Sequence, residues 1–190
     1  FVYRLNGKLK SKGTNKNGKL DGLLVHYDLN GKLLFNQITK NDKLNGPTKH
    51  YDVNGNLTSI YNYRNNKLDG PYVTFQNNQL MEMHTYKNGE RDGPFEIYVD
   101  NDNSLIEYIR GSNSKGEIDG PYEIRYPNGN LKRFSTYKNG KPDGPSKFYY
   151  ENGQLMEMHT YKNNGKECFA ETYYENGQLE TRGTFINGEV

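Results

Sequence analysis

Apolar and polar residues alternate along this chain in short runs, and each run ends at a cluster of Asn, Asp and Gly. The stretch from Pro121 to Gly144 shows the unit. It opens with an aromatic-rich run, turns at Asn128-Gly129, runs again from Leu131 to Tyr137, turns at Asn139-Gly140 and closes on Asp143-Gly144. Alternation over a few residues predicts strands, and Asn-Gly between two such runs predicts a β-hairpin. No helical period of useful length appears. Type I′ turns need positive φ at both central residues, which Asn and Gly tolerate.

The unit recurs throughout the chain, and three columns stay in phase. One holds leucine in every copy: Leu9, Leu33, Leu57, Leu80, Leu105, Leu131, Leu155 and Leu179. A second column, about six residues earlier, is aromatic at Tyr3, Tyr27, Tyr51, Phe75, Tyr98, Tyr149 and Tyr173, with Arg125 as its exception. A weaker aromatic column follows the leucine at Tyr63, Tyr86, Tyr137, Tyr161 and Phe185. The closing dipeptide is Asp-Gly or Asn-Gly from Asp21-Gly22 to Asp143-Gly144, and Glu167-Cys168 breaks the rule. The boundaries are 1–22 (partial), 23–46, 47–70, 71–93, 94–120, 121–144, 145–168 and 169–190 (partial).

A period of this size indicates a solenoid or array, so the chain reads as one repeat domain over 1–190. The expected fold is all-β: a tandem array of hairpins forming one elongated, twisted antiparallel meander of about sixteen short strands. Prolines 47, 71, 94, 121 and 145 each follow the closing glycine, where a missing N–H costs least. The 94–120 copy is the longest, with loosened loops near 100–104 and 111–116, read as tolerated insertions. The open ends of such a sheet invite end-to-end pairing into homo-oligomers.

Composition refines this picture. Hydrophobic content is 32%, low enough to suggest disorder, but 17 Tyr argue for an ordered sheet whose rings cover one layer while their hydroxyls stay wet. Net charge is +2 and no basic run tracks a nucleic-acid backbone, so nucleic acid is not an expected partner. No apolar stretch reaches the roughly 18 residues of a membrane span, and membrane association has no support in the charge pattern. The chain starts at Phe1 in mid-unit, as expected of a fragment or processed protein, which leaves cytoplasmic and exported locations both open.

Candidate chemistry is sparse. His26 and His50 share a column in adjacent units, roughly 10 Å apart, too far for one zinc. With His84 and His159 they read as surface residues. Glu82 and Glu157 recur by duplication, and Asp69, Asp92, Asp119 and Asp143 recur because turns favour them. The surroundings of Cys168 imply no His partner, so it is not read as a nucleophile. Glycines stand in turns and match no phosphate-binding motif. No metal, cofactor or catalytic residue is expected.

Two features are candidates for binding. Met81 with Met83, and Met156 with Met158, alternate with Leu80, Glu82, His84 and Tyr86 or their equivalents. If the Leu/Tyr face is packed, these methionines form a partner-binding face. The competing reading, which the pattern favours, is that curling of the sheet or a β-bulge shifts the phase and covers them. The aromatic column from Tyr27 to Tyr173 is read as the spine between hairpins rather than as a ligand platform.

The pattern of Leu33, Tyr27, the Asn-Gly turns and the Asp-Gly closures resembles the bacterial variant of the MORN repeat, seen in YwqK-family antitoxins. The resemblance implies a β-hairpin scaffold. The resulting expectation is a non-enzymatic repeat protein with a protein partner. An antitoxin that neutralises a cognate toxin and a lipid-surface module are the alternatives.

Overall fold

Most leucines of the main column lie directly across a strand pair from the aromatic residue of the second column. Leu33 faces Tyr27, Leu57 faces Tyr51, Leu80 faces Phe75, Leu155 faces Tyr149 and Leu179 faces Tyr173. Leu131 faces the exceptional Arg125. The computed structural model describes residues 1–101, 104–162 and 167–186, with side chains throughout except at 100, 101, 104–106 and 186. The side chain of Leu105 therefore lies outside the described residues, although its backbone pairs with Asp100.

The fold is all-β, an antiparallel hairpin meander with no helix among the described residues. The first compact unit, Phe1–Glu90, holds β1 (Val2–Tyr3), β2 (Leu9–Lys16), β3 (Lys19–Tyr27), β4 (Leu33–Lys40), β5 (Lys43–Tyr51), β6 (Leu57–Arg64), β7 (Lys67–Gln76) and β8 (Gln79–Lys87). The second, Arg91–Val190, holds β9 (Glu90–Asn101, which starts at the boundary), β10 (Ser104–Ser114), β11 (Glu117–Ile118), β12 (Gly120–Arg125), β13 (Leu131–Lys138), β14 (Lys141–Tyr149), β15 (Leu155–Lys162), β16 (Glu167–Tyr173) and β17 (Leu179–Ile186). Asp119 parts β11 from β12, which is why seventeen strands stand among the described residues where about sixteen were expected.

The Asn-Gly turns are of two kinds. Asn17-Gly18, Asn88-Gly89 and Asn139-Gly140 have positive φ at both residues, as type I′ turns require. At the other hairpin end only the glycine is left-handed. There the Gly31, Gly55, Gly129, Gly153 and Gly177 N–H groups each donate to the carbonyl three residues back, a type I turn closed by glycine. Asn128, Asn152 and Asn176 fix that turn by accepting from the N–H two residues on. Asn77-Asn78 uses the double-positive form instead, and the 71–93 copy is one residue shorter for that reason.

The closing Asp-Gly dipeptides are not turns. Asp21-Gly22, Asp69-Gly70 and Asp143-Gly144 lie inside strands, at positions where the register slips in a β-bulge. Their aspartates serve the next repeat. Asp21, Asp69 and Asp119 accept from the turn N–H groups of Asn41, Asn88 and Asn139. The opposite hairpin tips are stitched likewise: the Tyr126 hydroxyl donates to the Tyr149 carbonyl and that of Tyr150 to Tyr173, each at 23 residues' separation. Successive copies are thus bonded tip to tip as well as along the ladder.

A second bulge sits one residue after each leucine. Its extra residue is Leu34, Thr58, Met81, Lys132, Met156 or Glu180. The bulge reverses the alternation. Leu80 therefore joins Phe75, Val73 and Met83 on one face, while Glu82, His84 and Tyr86 take the other. This is the phase-shifting bulge of the favoured reading, and the alternative division, with leucine opposite the methionines, does not hold. Met83 and Met158 share a face with Leu80 and Leu155, and Met81 and Met156 are bulge residues.

Candidate binding face

In the first unit, the face bearing His84 carries a continuous file of rings across six strands. His26 stacks on Phe35 at 4.1 Å, Phe35 on His50 at 5.4 Å, His50 meets Tyr61 at 5.2 Å, and Tyr61 stacks on Tyr72 at 4.7 Å. Tyr72 then meets His84 edge-on at 6.3 Å and Tyr86 at 5.8 Å. Direct pairing produces the file: His26 and His50 both oppose Phe35, and Tyr61 and His84 both oppose Tyr72. Small polar residues fill between the rings, so Ser11, Thr48 and Ser59 are buried.

This file overturns the surface reading of the histidines. The histidines are not simple surface residues, since His84 is only 2% exposed and His26 and His50 are half-buried in the stack. Burial lowers the pKa of both His26 and His50, with Lys10 adding to the effect at His26. The Tyr27, Tyr51 and Phe75 column sits on the other face against leucine, and there Lys12 lies over the Tyr27 ring at 6.0 Å and Asn36 donates to the Tyr51 hydroxyl at 3.4 Å, each from the preceding copy. Burial, with Tyr61 beside it, pushes Tyr72 up to about 12, so its hydroxyl stays protonated.

The equivalent face of the second unit mixes rings with a cation. Arg133 stacks on Tyr122 at 5.6 Å and on Phe148 at 5.1 Å. Its guanidinium also donates to the Ser135 and Tyr137 hydroxyls at 2.9 and 2.6 Å. Ser135, 1% exposed, meets Ser146 at 2.6 Å. On the reverse face Arg110 grips Glu123 with two bonds, of 3.0 and 2.8 Å, and Arg125 adds a third. The bond from Arg110 holds the Glu123 carboxyl below its ordinary 4.5. A depressed carboxylate contributes stability above its unfolded pKa and loses it as pH falls through the folded value. Acid titration of the wild type should therefore lose stability below about pH 4.5, and Glu123→Gln should flatten that loss in urea melts at successive pH values.

Cys168 is the residue whose setting the sequence concealed. Its Sγ lies 3.4 Å from Nδ1 of His159, whose Nε2 is 2.5 Å from Oε1 of Glu157; the Tyr161 hydroxyl is 3.2 Å from the same Nδ1. Burial pushes the Cys168 thiol up. Regular copies use the Asp-Gly bulge, but β15 and β16 pair without a shift, through Lys162 with Glu167, Tyr161 with Cys168 and His159 with Ala170. The sequence signal was the extra asparagine at Asn163-Asn164, which moves the Asn-Gly pair one residue on. Glu82 and His84 repeat the carboxylate–imidazole contact at 2.5 Å. Among the described residues no group of three or more His, Cys, Asp or Glu is placed to hold a metal, and no helix is long and apolar enough to cross a membrane.

The pattern of the MORN repeat variant matches residues 44–65, 118–139, 142–163 and 170–187. Those four segments are repeats of the MORN-variant kind. The first three matches correspond to the hairpins β5–β6, β12–β13 and β14–β15, and the fourth covers most of β16–β17. MORN repeats are generally non-catalytic scaffolds for protein or membrane interaction. The match does not single out the YwqK antitoxins. No curated protein matches the chain.

Proposed function

We propose that this MORN-variant chain is a non-enzymatic scaffold, its repeats working as one domain, that binds a protein partner over the ring-lined face of its first unit. The observation that carries the reading is the file from His26 to His84. Rings that are half-buried from His26 to Tyr72, and buried at His84, span six strands. Aromatic residues fixed by their neighbours bind at small entropic cost, and such residues dominate protein interfaces. A near-neutral chain with no basic cluster favours a protein over an anionic lipid surface.

The test is affinity capture from native extract, followed by titration of the recovered partner. The double variant His50→Glu, Tyr61→Glu, checked for folding by circular dichroism, should weaken binding about tenfold or more. The variant Met83→Lys, Met158→Lys, on the other face, should stay within about twofold. The reverse order would move the interface to the methionine side. A single stoichiometric partner with toxin activity, silenced on mixing, would narrow the scaffold to an antitoxin.

A further inference from the structure

The arrangement at the start of β16 is not needed for a binding face, yet it has the parts of an activated thiol. A nucleophile, a base within hydrogen-bond reach and a group orienting the base are what nucleophilic chemistry at sulfur requires. Cys168, His159 and Glu157 stand in that order, at 3.4 and 2.5 Å. If His159 donates Nε2–H to the Glu157 carboxylate, Nδ1 presents its lone pair toward the thiol. We propose that Cys168 is a covalent modification site, which captures small disulfides of the glutathione type with His159 as its base and Glu157 as the positioning residue.

The geometry makes the site local and reachable. Cys168 is half-buried and the His159 side chain is 20% exposed, so the pair is not sealed from solvent. Cys168 pairs with Tyr161 on one side and Phe185 on the other, which gives the incoming group two rings to lie against. The titratable and charged groups near His159 on this face are Glu157 and Tyr161 on its own strand and Cys168 on β16, and Arg133 and Tyr137 on β13 act on Tyr161 beside it. Burial holds the sulfur as a thiol at neutral pH, so a base is required for attack.

The step balances as thiol–disulfide exchange. His159 Nδ1 takes the Sγ proton while Sγ bonds to one sulfur of the small disulfide. The original S–S bond breaks, and its other half leaves as a thiolate that regains a proton. The products are one mixed disulfide on Cys168 and one free small thiol, with the small disulfide as the oxidant.

The experiment follows the reaction of the whole chain with glutathione disulfide by intact mass, and with a chromogenic aromatic disulfide by absorbance, across pH. A base-assisted thiol keeps its rate at neutral pH, whereas a bare thiol loses about tenfold per unit below its own pKa. The wild type should therefore show a shallow pH profile and react about tenfold or more faster at pH 7 than His159→Phe. Glu157→Gln should move in the same direction, and Cys168→Ser should not react. His159→Gln, which keeps a polar group in place, serves if the phenylalanine variant misfolds. Equal rates and equally steep profiles for the wild type and the folded His159 variant would overturn the proposal. So would failure of the folded chain to take up glutathione where the unfolded chain does.

Discussion

Replacing His84 with alanine should cost about 2–4 kcal/mol of stability, and the same change at His159 about half as much. The two histidines sit in one ten-residue peptide that occurs twice, at 79–88 and 154–163, so local sequence cannot separate them. Their cross-strand partners can. His84 faces Tyr72, whereas His159 faces Ser146. The larger ring closes over His84, and its side chain is 2% exposed against 20% for His159. Alanine at 84 removes edge-on contacts with both Tyr72 and Tyr86, along with the bond to Glu82. Alanine at 159 opens a site that solvent already reaches. Urea melts of both variants provide the check. Each histidine meets two rings, so equal losses would mean that the deeper burial of His84 contributes little.

That difference also marks how far the sequence could be read. The leucine and aromatic columns were legible because each pair is a direct cross-strand contact repeated at one spacing. Turn positions were legible because Asn and Gly are the residues that tolerate left-handed backbone. The faces were not. A one-residue bulge after each leucine exchanges the two sides of the following strand, and in a single layer both sides are half-exposed, so polarity gives little sign of the exchange. The same blindness hid the ring file, since His26 and His50 sit one position before Tyr27 and Tyr51. It also hid the contact between His159 and Cys168, which depends on one hairpin pairing in regular register where its relatives slip.

Gly46→Ala should cost about 2–4 kcal/mol, while Gly55→Ala should cost about 1 kcal/mol. Gly46 has φ +131°, outside the left-handed well that asparagine visits, and a Cβ there would stand 3.0 Å from Cβ of Ile38. Gly55 has φ +89°, and a Cβ there would have nothing within 4 Å. The chain itself supports the distinction. Asparagine holds left-handed turn positions at 17, 65, 77 and 139 with φ near 50°, yet the closing positions 22, 46, 70, 93, 120 and 144 are glycine throughout. Cys168 takes the corresponding place in the seventh copy, where the ladder is regular and φ is not positive. Asparagine substitutions sharpen the test. Gly55→Asn should be nearly neutral, because its site asks only for left-handed backbone, and Gly46→Asn should be as costly as alanine or worse, because its site asks for a conformation that side chains avoid and offers no room for one. Denaturant midpoints for the four variants decide it, and a tolerated Gly46→Asn would show that the bulge can be rebuilt without glycine, as the regular ladder at Cys168 already does by another route.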